Sequence, residues 1–404
     1  METQPQTVVL DGSRLDRIRR DLHDGDKTLQ ATLQLLTSQA DEWMKTNETW
    51  SVTSKKKAPP SGDMHDYTSQ APYWWPSLDS PDGSPYVERD GKKNPEVLNY
   101  SDRVFWDKVF GSTTTLALAW FYTGNEAYAK RAGDVLRTWF VSPQTRMNPN
   151  LNHAQLIPFA NTGRFIGIID FSQSYTSVLD AAAILATGGP LAADGSPTRA
   201  PGWRAEDVDA FRSWNVDFLA WLTDSDFGKQ EHSQRNNHGS FAAMLDAAIA
   251  LFVGDRERAR KEALGVQSHI AATIAPDGSQ PEELRRTRSW HYSTFNLMAL
   301  TRLALIAQKV GVDLWSYKGP EGQGLSVAVD YILPAATGAQ AWAYPDLGFR
   351  AYAAADIIRA AAEAGHEGAK RAVGSIQLPP SGDLWPLRPA PEQLDAVKVD
   401  EHSK

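Results

Sequence analysis

The chain has 404 residues, of which 42% are hydrophobic and 22% are charged, and its formal net charge is −8 at pH 7. These values are typical of a soluble globular protein that can bury a sizeable core. The net negative charge argues against nucleic acid or an anionic membrane as the main partner, although a local arginine cluster can still bind a polyanion. The absence of cysteine excludes disulfides, thiol nucleophiles and thiolate metal sites.

The sequence leaves the cellular compartment open. No apolar run reaches the length of a transmembrane helix, and the first residues do not have the charged-then-apolar pattern of a signal peptide. A cytoplasmic protein and a secreted protein whose leader has been trimmed both agree with this pattern, and we expect the secreted form. We further expect a monomer or a weak oligomer.

Helical periodicity covers residues 11–45 and is interrupted at residues 51–103, a segment that includes the aromatic run Tyr73-Trp74-Trp75-Pro76. An irregular segment of this length within a compact protein is usually functional or disordered, and its many aromatic residues argue against disorder. We predict an ordered loop that covers a cleft and contacts substrate through Tyr73, Trp74 and Trp75. The alternative is that both tryptophans fill the core.

Two similar helical hairpins follow this loop. An apolar helix ending at Gly124 precedes a helix capped by Asn125, and an apolar helix ending at Gly254 precedes a helix capped by Asp255. Glycine after one helix and Asn or Asp before the next are typical of short turns. Further helices are predicted at residues 176–187, 205–224, 293–310 and 352–365.

Short-turn hairpins without a fixed short period, together with scarce strand patterns, predict an all-α fold. We expect an (α/α) toroid of helical hairpins, with long loops over a central cleft. Residues 1–375 are predicted to form this single domain. The proline-rich residues 376–404 are predicted to be a tail, either an arm or disordered.

A polar run at residues 234–240 lies directly before an apolar helix. Because the free N–H groups of a helix N-terminus favour a nearby anion, Asn237 is predicted to donate hydrogen bonds to a substrate carboxylate. His238 is predicted to take or shuttle a proton near neutral pH, and Asn236 lies in the same run. The alternative is a capping cluster with a satisfied histidine.

A second run, at residues 282–295, holds three arginines, a histidine and a tyrosine. If the helix that follows extends back to Arg285, then Arg285, Arg288 and Tyr292 lie on one face. Two cations beside a phenol would lower the pKa of Tyr292 and suit it to act as a general base on an anionic substrate. The alternative is a solvated basic turn before a core helix.

Other motifs are weaker. A loop rich in side-chain amides contains Asn150 and ends near Arg164, which suits sugar hydroxyls but also suits ordinary turns. The spacing of His232 and His238 matches no close metal-ligand pattern, and no phosphate-binding, dinucleotide-binding or nucleophile-elbow motif occurs. We therefore expect neither a metal nor a cofactor.

The two polar runs together carry a family resemblance. Asn236-Asn237-His238 and Arg285-x-x-Arg288-x-x-x-Tyr292 resemble, in order and separation, the paired motifs of the alginate lyase superfamily of α/α-toroid polysaccharide lyases. The resemblance extends from Asp66 to Tyr317. The Tyr73–Pro76 run and Trp290-His291-Tyr292 look closer to the family 38 glucuronan and alginate lyases than to family 5. Gly239-Ser240-Phe241 and Ser293 depart from the mannuronan-cleaving branch, which affects the substrate more than the reaction.

The resemblance implies a lyase that cleaves a β-1,4-linked polyuronate, glucuronan or mannuronan, by metal-independent β-elimination. Tyr292 would be the catalytic tyrosine, with Asn237, His238 and Arg285 neutralising the uronate carboxylate and His238 as a second candidate for the base. Substrate contacts are expected from Arg288, His291, Trp74, Trp75, Tyr73, Asn150, Arg164 and Asn236.

Two alternatives stay open at this point. Carboxylates are plentiful, so an inverting glycoside hydrolase on the same toroid, acting through two carboxylates, agrees with the sequence. A non-catalytic glycan-binding toroid also agrees with it. In every case the expected partner is an anionic polysaccharide rather than nucleic acid or a membrane.

Overall fold

A computed structural model describes residues 4–190 and 197–396 of the chain, and helices dominate it. The helices are α1 (Gly12–His23), α2 (Lys27–Met44), α3 (Ser101–Thr123), α4 (Glu126–Leu136), α5 (Ile169–Thr187), α6 (Ala205–Asp224), α7 (Asp226–His232), α8 (Asn237–Val253), α9 (Arg256–Thr273), α10 (Pro281–Leu284), α11 (Ser289–Lys309), α12 (Leu325–Ala336), α13 (Ala355–Glu363) and α14 (Glu367–Ala372).

Four short strands accompany the helices: β1 (Thr68–Gln70), β2 (Trp74–Trp75), β3 (Val87–Glu88) and β4 (His153–Leu156). β1 pairs in parallel with β4, with Thr68 opposite His153 and an irregularity before Gln70. β2 and β3 pair in antiparallel fashion inside the 51–103 loop. These pairs give the long loop its order, since each strand is too short to be stable alone.

The fold is an α/α toroid, as predicted. α3, α5, α8 and α11 pack side by side in an inner row, and α4, α6 and α9 pack against that row from outside. The inner helices are buried on nearly every face, which is why their sequences are apolar around the whole helix rather than along one stripe. The core is one cluster that runs through all of them.

The two predicted hairpins are confirmed. Gly124 (φ 71°) ends α3 and Gly254 (φ 90°) ends α8, both in the left-handed conformation that favours glycine. The side chain of Asn125 then accepts the backbone N–H of Ala127 at 3.1 Å, and Asp255 caps α9 in the same way. The predicted helix at residues 11–45 is divided at Gly25 (φ 91°) into α1 and α2.

The proline-rich tail packs against the toroid. Trp385, Leu387 and Ala390 belong to the buried core, and buried Arg302 donates to the carbonyl of Pro391 at 2.6 Å. The interpretation of this segment as disordered is therefore wrong for residues 376–396, and residues 397–404 lie outside the described part. Within that part, none of the helices combines the length and apolarity needed to cross a membrane.

Candidate active site

Tyr292 lies in the first turn of α11, and its phenol meets residues of the 51–103 loop. Only 6% of Tyr292 is exposed. Its hydroxyl lies 2.7 Å from the hydroxyl of Tyr73, and the guanidinium of Arg286 lies 3.7 Å from the centre of its ring. Asp90, also from the loop, holds Arg286 through a 2.5 Å ion pair. The loop thus completes the surroundings of the tyrosine.

The electrostatics of Tyr292 differ from the sequence-based expectation. Burial raises the pKa of Tyr292 well above its usual range, and the neighbouring Tyr73 raises it further, whereas Arg286 lowers it. The predicted lowering of this pKa is therefore wrong: the desolvation of a phenolate outweighs the attraction of one nearby cation.

The segment between α10 and α11 is not helical, which explains part of this error. α10 ends at Leu284 and α11 begins only at Ser289, where the Asp346 carboxylate accepts the backbone N–H of Trp290 at 2.9 Å. Arg288 forms an isolated β-bridge with Asp346. The prediction that Arg285, Arg288 and Tyr292 share one helical face is therefore wrong, because this carboxylate starts the helix after the arginines.

The three arginines of the segment consequently point to different surroundings. The side chain of Arg285 is 68% exposed and pairs with Glu282. Arg288 is 2% exposed, lies 4.0 Å from the carboxylate of Asp395, and has two nitrogen atoms without a hydrogen-bond partner within the described residues. Arg286, which the sequence analysis did not single out, is the one that contacts the Tyr292 ring.

Asn237, the first residue of α8, is bound by a buried carboxylate. Glu283 accepts its backbone N–H at 2.6 Å and its side-chain amide at 2.8 Å, and Asn237 is only 1% exposed. The next amide, of His238, is capped by the side chain of Asn236 at 3.0 Å. The helix N-terminus at which a substrate carboxylate is predicted therefore already binds the carboxyl group of Glu283 in this structure.

His238 is held by a second buried carboxylate. Its Nδ1 lies 2.7 Å from an oxygen of Glu231 on α7. Burial raises the pKa of Glu231, and the neighbouring His238 opposes that rise. A buried carboxylate on one ring nitrogen fixes the orientation of the imidazole and stabilises positive charge on it. His238 is therefore positioned for proton transfer or anion binding through Nε2.

Glu283 connects the two polar runs. Burial raises the pKa of Glu283. The hydrogen bonds from Asn237 oppose this rise most strongly, and the positive charges of Arg286 and His238 oppose it less. Glu283 also accepts the backbone N–H of Arg286 through its carbonyl at 3.2 Å, so hydrogen bonds join Asn237 to the segment that carries Arg286. The Asn237–His238 pair and the Tyr292–Arg286 pair therefore belong to one site.

The other predicted contacts have mixed outcomes. Trp74 is half-buried with the guanidinium of Arg164 5.4 Å from its ring, and Trp75 is half-buried and bound through its indole N–H to the carbonyl of Lys92. Both residues are partly exposed, so neither tryptophan only fills the core. Asn150 donates to Asp66 at 3.1 Å, which makes it a loop-stabilising residue in this structure.

His291 is buried rather than open to substrate. Its Nδ1 lies 2.8 Å from Asp395 of the C-terminal segment, and its ring stacks on Phe295. The ring centre is 5.1 Å from that of Tyr292. The structure therefore places His291 behind the tyrosine, as support, and not among the side chains that a polymer can touch.

A cavity of about 520 Å³ lies beside the loop that carries Tyr73. Gln70 and Glu96 line it and are joined by a hydrogen bond, and Asn94 binds both Glu96 and the carbonyl of Trp74. Phe159, 70% exposed and in a left-handed conformation (φ 75°), lines the same cavity. Such a cavity is large enough to take a sugar unit.

Sequence reasoning missed four site residues: Arg286, Asp90, Glu231 and Glu283. Arg286 was one of three adjacent arginines, and the helical spacing favoured the other two. Asp90 and Glu283 carry no local signature, because each acts on a residue distant along the chain. Glu231 is seven residues from His238, a separation that by itself indicates no contact. The polar run 282–295 contained the only usable signal for these residues. Glu283 precedes the arginine cluster, and a glutamate that is buried there needs a hydrogen-bond or charge partner.

The fold and the site, a helical toroid with a buried tyrosine, an arginine over its ring and an Asn-His pair fixed by carboxylates, define a polysaccharide lyase. The model of the family described as "Alginate lyase" matches residues 51–342. The chain belongs to this alginate lyase family. No curated protein sequence matches it.

Solved structures agree with this assignment. An alginate lyase from Bacteroides ovatus superposes with a TM-score of 0.87 at 28% identity, covering 94% of this chain and 98% of that one. Alginate lyase A1-III from Sphingomonas species A1 is similar with a TM-score of 0.52 at 16% identity, covering 90% and 94%. A variant of A1-III in complex with a tetrasaccharide gives a TM-score of 0.52 at 15% identity, covering 87% and 93%. The more distant pair shows the fold alone.

Proposed function

We propose that this polysaccharide lyase cleaves a β-1,4-linked polyuronate, glucuronan or the mannuronan of alginate, by β-elimination that needs no metal, and leaves a 4,5-unsaturated uronate at the new end. The observation that carries the proposal is the hydrogen-bonded Tyr292–Tyr73 phenol pair, with Arg286 against the Tyr292 ring and with Glu283 joining Asn237, the neighbour of His238, to Arg286. The Bacteroides ovatus relative, an alginate lyase by its name, supports the substrate class.

The reaction begins with the proton on C5 of the sugar, which lies alpha to a carboxylate and is very weakly acidic. Its removal places negative charge on that carboxylate, so the site must supply cations and hydrogen-bond donors there. His238 presents Nε2, because Nδ1 is bound to Glu231. Arg285 presents an exposed guanidinium, whereas Arg288 is buried beside Asp395 and acts behind the site.

Tyr292 carries the proton transfer in this proposal. It first loses its proton to solvent water, relayed by the hydroxyl of Tyr73, and Arg286 stabilises the phenolate that forms. In gluco- and manno-configured uronates the C5 proton and the C4 oxygen lie on the same side, so one group can serve both. The phenolate takes the C5 proton, the C4–O4 bond breaks as the C4–C5 double bond forms, and the phenol returns the proton to O4.

Ultraviolet absorbance tests this function directly. The protein is incubated with separate samples of glucuronan, polymannuronate and polyguluronate, and the conjugated double bond is followed. We expect absorbance to rise on glucuronan or polymannuronate and not on polyguluronate, in which the two bonds lie on opposite sides of the ring. New reducing ends without absorbance would indicate a hydrolase, and silence on both readouts would indicate a binding protein.

Tyr292→Phe tests the mechanism. It removes one oxygen from a buried side chain and should reduce turnover by at least about 100-fold, as expected for loss of a general acid–base group. Polymer binding, measured by calorimetry, should be retained. Near-normal turnover of this variant would contradict the assigned role, whereas a hydrolase that uses two carboxylates would keep most of its activity.

A further inference from the structure

Three metal-ligand side chains converge on consecutive helices outside the catalytic residues. His232 ends α7, Asp246 lies in the middle of α8, and Glu262 lies in α9. One candidate ligand atom from each lies within 4.8 Å of the other two. His232 Nε2 is 3.2 Å from an oxygen of Glu262. An imidazole and two carboxylates in one place are a common donor set for Zn²⁺ and related divalent cations.

Asp246 supplies an independent observation. It is only 4% exposed, and within the described part of the chain no group donates a hydrogen bond to its carboxylate, which interacts with Arg258 and His232 through charge alone. The second carboxylate, of Glu262, repels it. A buried carboxylate costs free energy unless it is hydrogen-bonded or coordinates a cation. Asp246 faces His232 and Glu262, so a cation that satisfied its carboxylate would lie between these three side chains.

We propose that His232, Asp246 and Glu262 bind one divalent cation of the Zn²⁺ class. The histidine would coordinate through Nε2, in place of its contact with Glu262, and each acid through one oxygen. Ligands about 2.0–2.2 Å from a tetrahedral Zn²⁺ lie roughly 3.3–3.6 Å apart, so ligand atoms now up to 4.8 Å apart need to approach one another by about 1.5 Å at most. The side chain of His232 is 46% exposed, so solvent can reach the ion and supply a fourth ligand.

The position of the ion suggests what it does. The turn between α7 and α8 carries Asn236 and Asn237, and Glu231, which orients His238, is the neighbour of His232. A cation that joins α7, α8 and α9 would fix both ends of this turn. It would therefore stabilise the arrangement of the site without touching the sugar, and the elimination itself would still need no metal.

Calorimetric titration of the untagged, chelator-treated full chain with ZnCl₂ tests the proposal. We expect one Zn²⁺ per chain and an increase in melting temperature that EDTA reverses. Asp246→Asn and Glu262→Gln should each weaken binding at least tenfold, since loss of even an outer partner of a metal costs about 10–100-fold. His23→Ala is the matched control, because His23 has a single carboxylate beside it, Asp24, at 3.5 Å, and should leave binding unchanged.

A second measurement, the difference in melting temperature between Asp246→Asn and the unmodified chain, separates metal binding from a structural role by its sign. Without metal, Asp246→Asn removes a buried carboxylate that accepts no hydrogen bond within the described residues, so its melting temperature should equal or exceed that of the unmodified chain. With Zn²⁺ the order should reverse. No stoichiometric Zn²⁺ binding, or equal binding by Asp246→Asn, would overturn the proposal. Tyr292→Phe should bind Zn²⁺ normally, so failure of the metal site and failure of the lyase mechanism are distinguishable.

Discussion

Replacing Arg286 by glutamine should move the pH dependence of catalysis to higher pH. In the proposed mechanism the free enzyme is active when Tyr292 is a phenolate, so kcat/KM rises with pH as the phenol loses its proton. Burial and Tyr73 raise the pKa of Tyr292, and Arg286 opposes them. Loss of the guanidinium therefore raises this pKa further, and a higher pH is needed for the same fraction of phenolate.

The structure sets the size of the shift. The guanidinium carbon is 3.7 Å from the ring centre, and two unit charges 4 Å apart interact by about 4 kcal/mol at an effective dielectric constant of 20. At 1.36 kcal/mol per pKa unit, the upper limit is about 3 units. The phenolate charge lies mainly on oxygen, beyond the ring centre, and Asp90 neutralises part of the Arg286 charge at 2.5 Å. We expect a shift of about 1 unit.

The assay is the initial rate of absorbance increase on the preferred polymer at low substrate concentration, measured from neutral to alkaline pH. Arg285→Gln is the matched comparison, because Arg285 is assigned to substrate rather than to Tyr292. It should lower kcat/KM at every pH without moving the profile. If Arg286→Gln lowered the rate uniformly and left the profile in place, the ionising group would not be Tyr292.

Three further outcomes are expected. Tyr73→Phe removes a group that raises the pKa of Tyr292, so the kcat/KM profile should move to lower pH, opposite to the shift for Arg286→Gln. The maximal rate should fall if Tyr73 relays the proton. An unmoved profile would contradict the interaction between the two phenols. Glu231→Gln removes the charge behind His238 and should lower kcat by about 10–100-fold with little change in KM, whereas exposed Glu257→Gln should not. Leu387→Ala, at a fully buried position of the tail, should lower the free energy of unfolding by about 2–5 kcal/mol in denaturant titrations. The control Leu378→Ala, at a position that is 48% exposed, should change this free energy by about 0.5 kcal/mol or less. Equal effects would mean that the tail does not contribute to the core.

Much of the fold was predictable because its signals are local. Each turn is indicated by two adjacent residues, Gly124 with Asn125 and Gly254 with Asp255. The long apolar stretches that precede them indicate buried helices. The burial of the tail was not predictable in this way. Leu387 lies among prolines, and what buries it is a surface formed by residues far away in the chain.

The candidate site likewise has features that local sequence predicts and features that only long-range packing determines. The sequence by itself determined which residue types are present and which are adjacent: an Asn-His pair at a helix start, a tyrosine after an arginine cluster, and an aromatic loop. The tertiary structure alone decided which arginine contacts Tyr292, because Asp346, distant in sequence, sets where α11 begins. It also decided that the pKa of the Tyr292 phenol is raised rather than lowered, since desolvation depends on everything packed around a group, and no spacing rule contains that information.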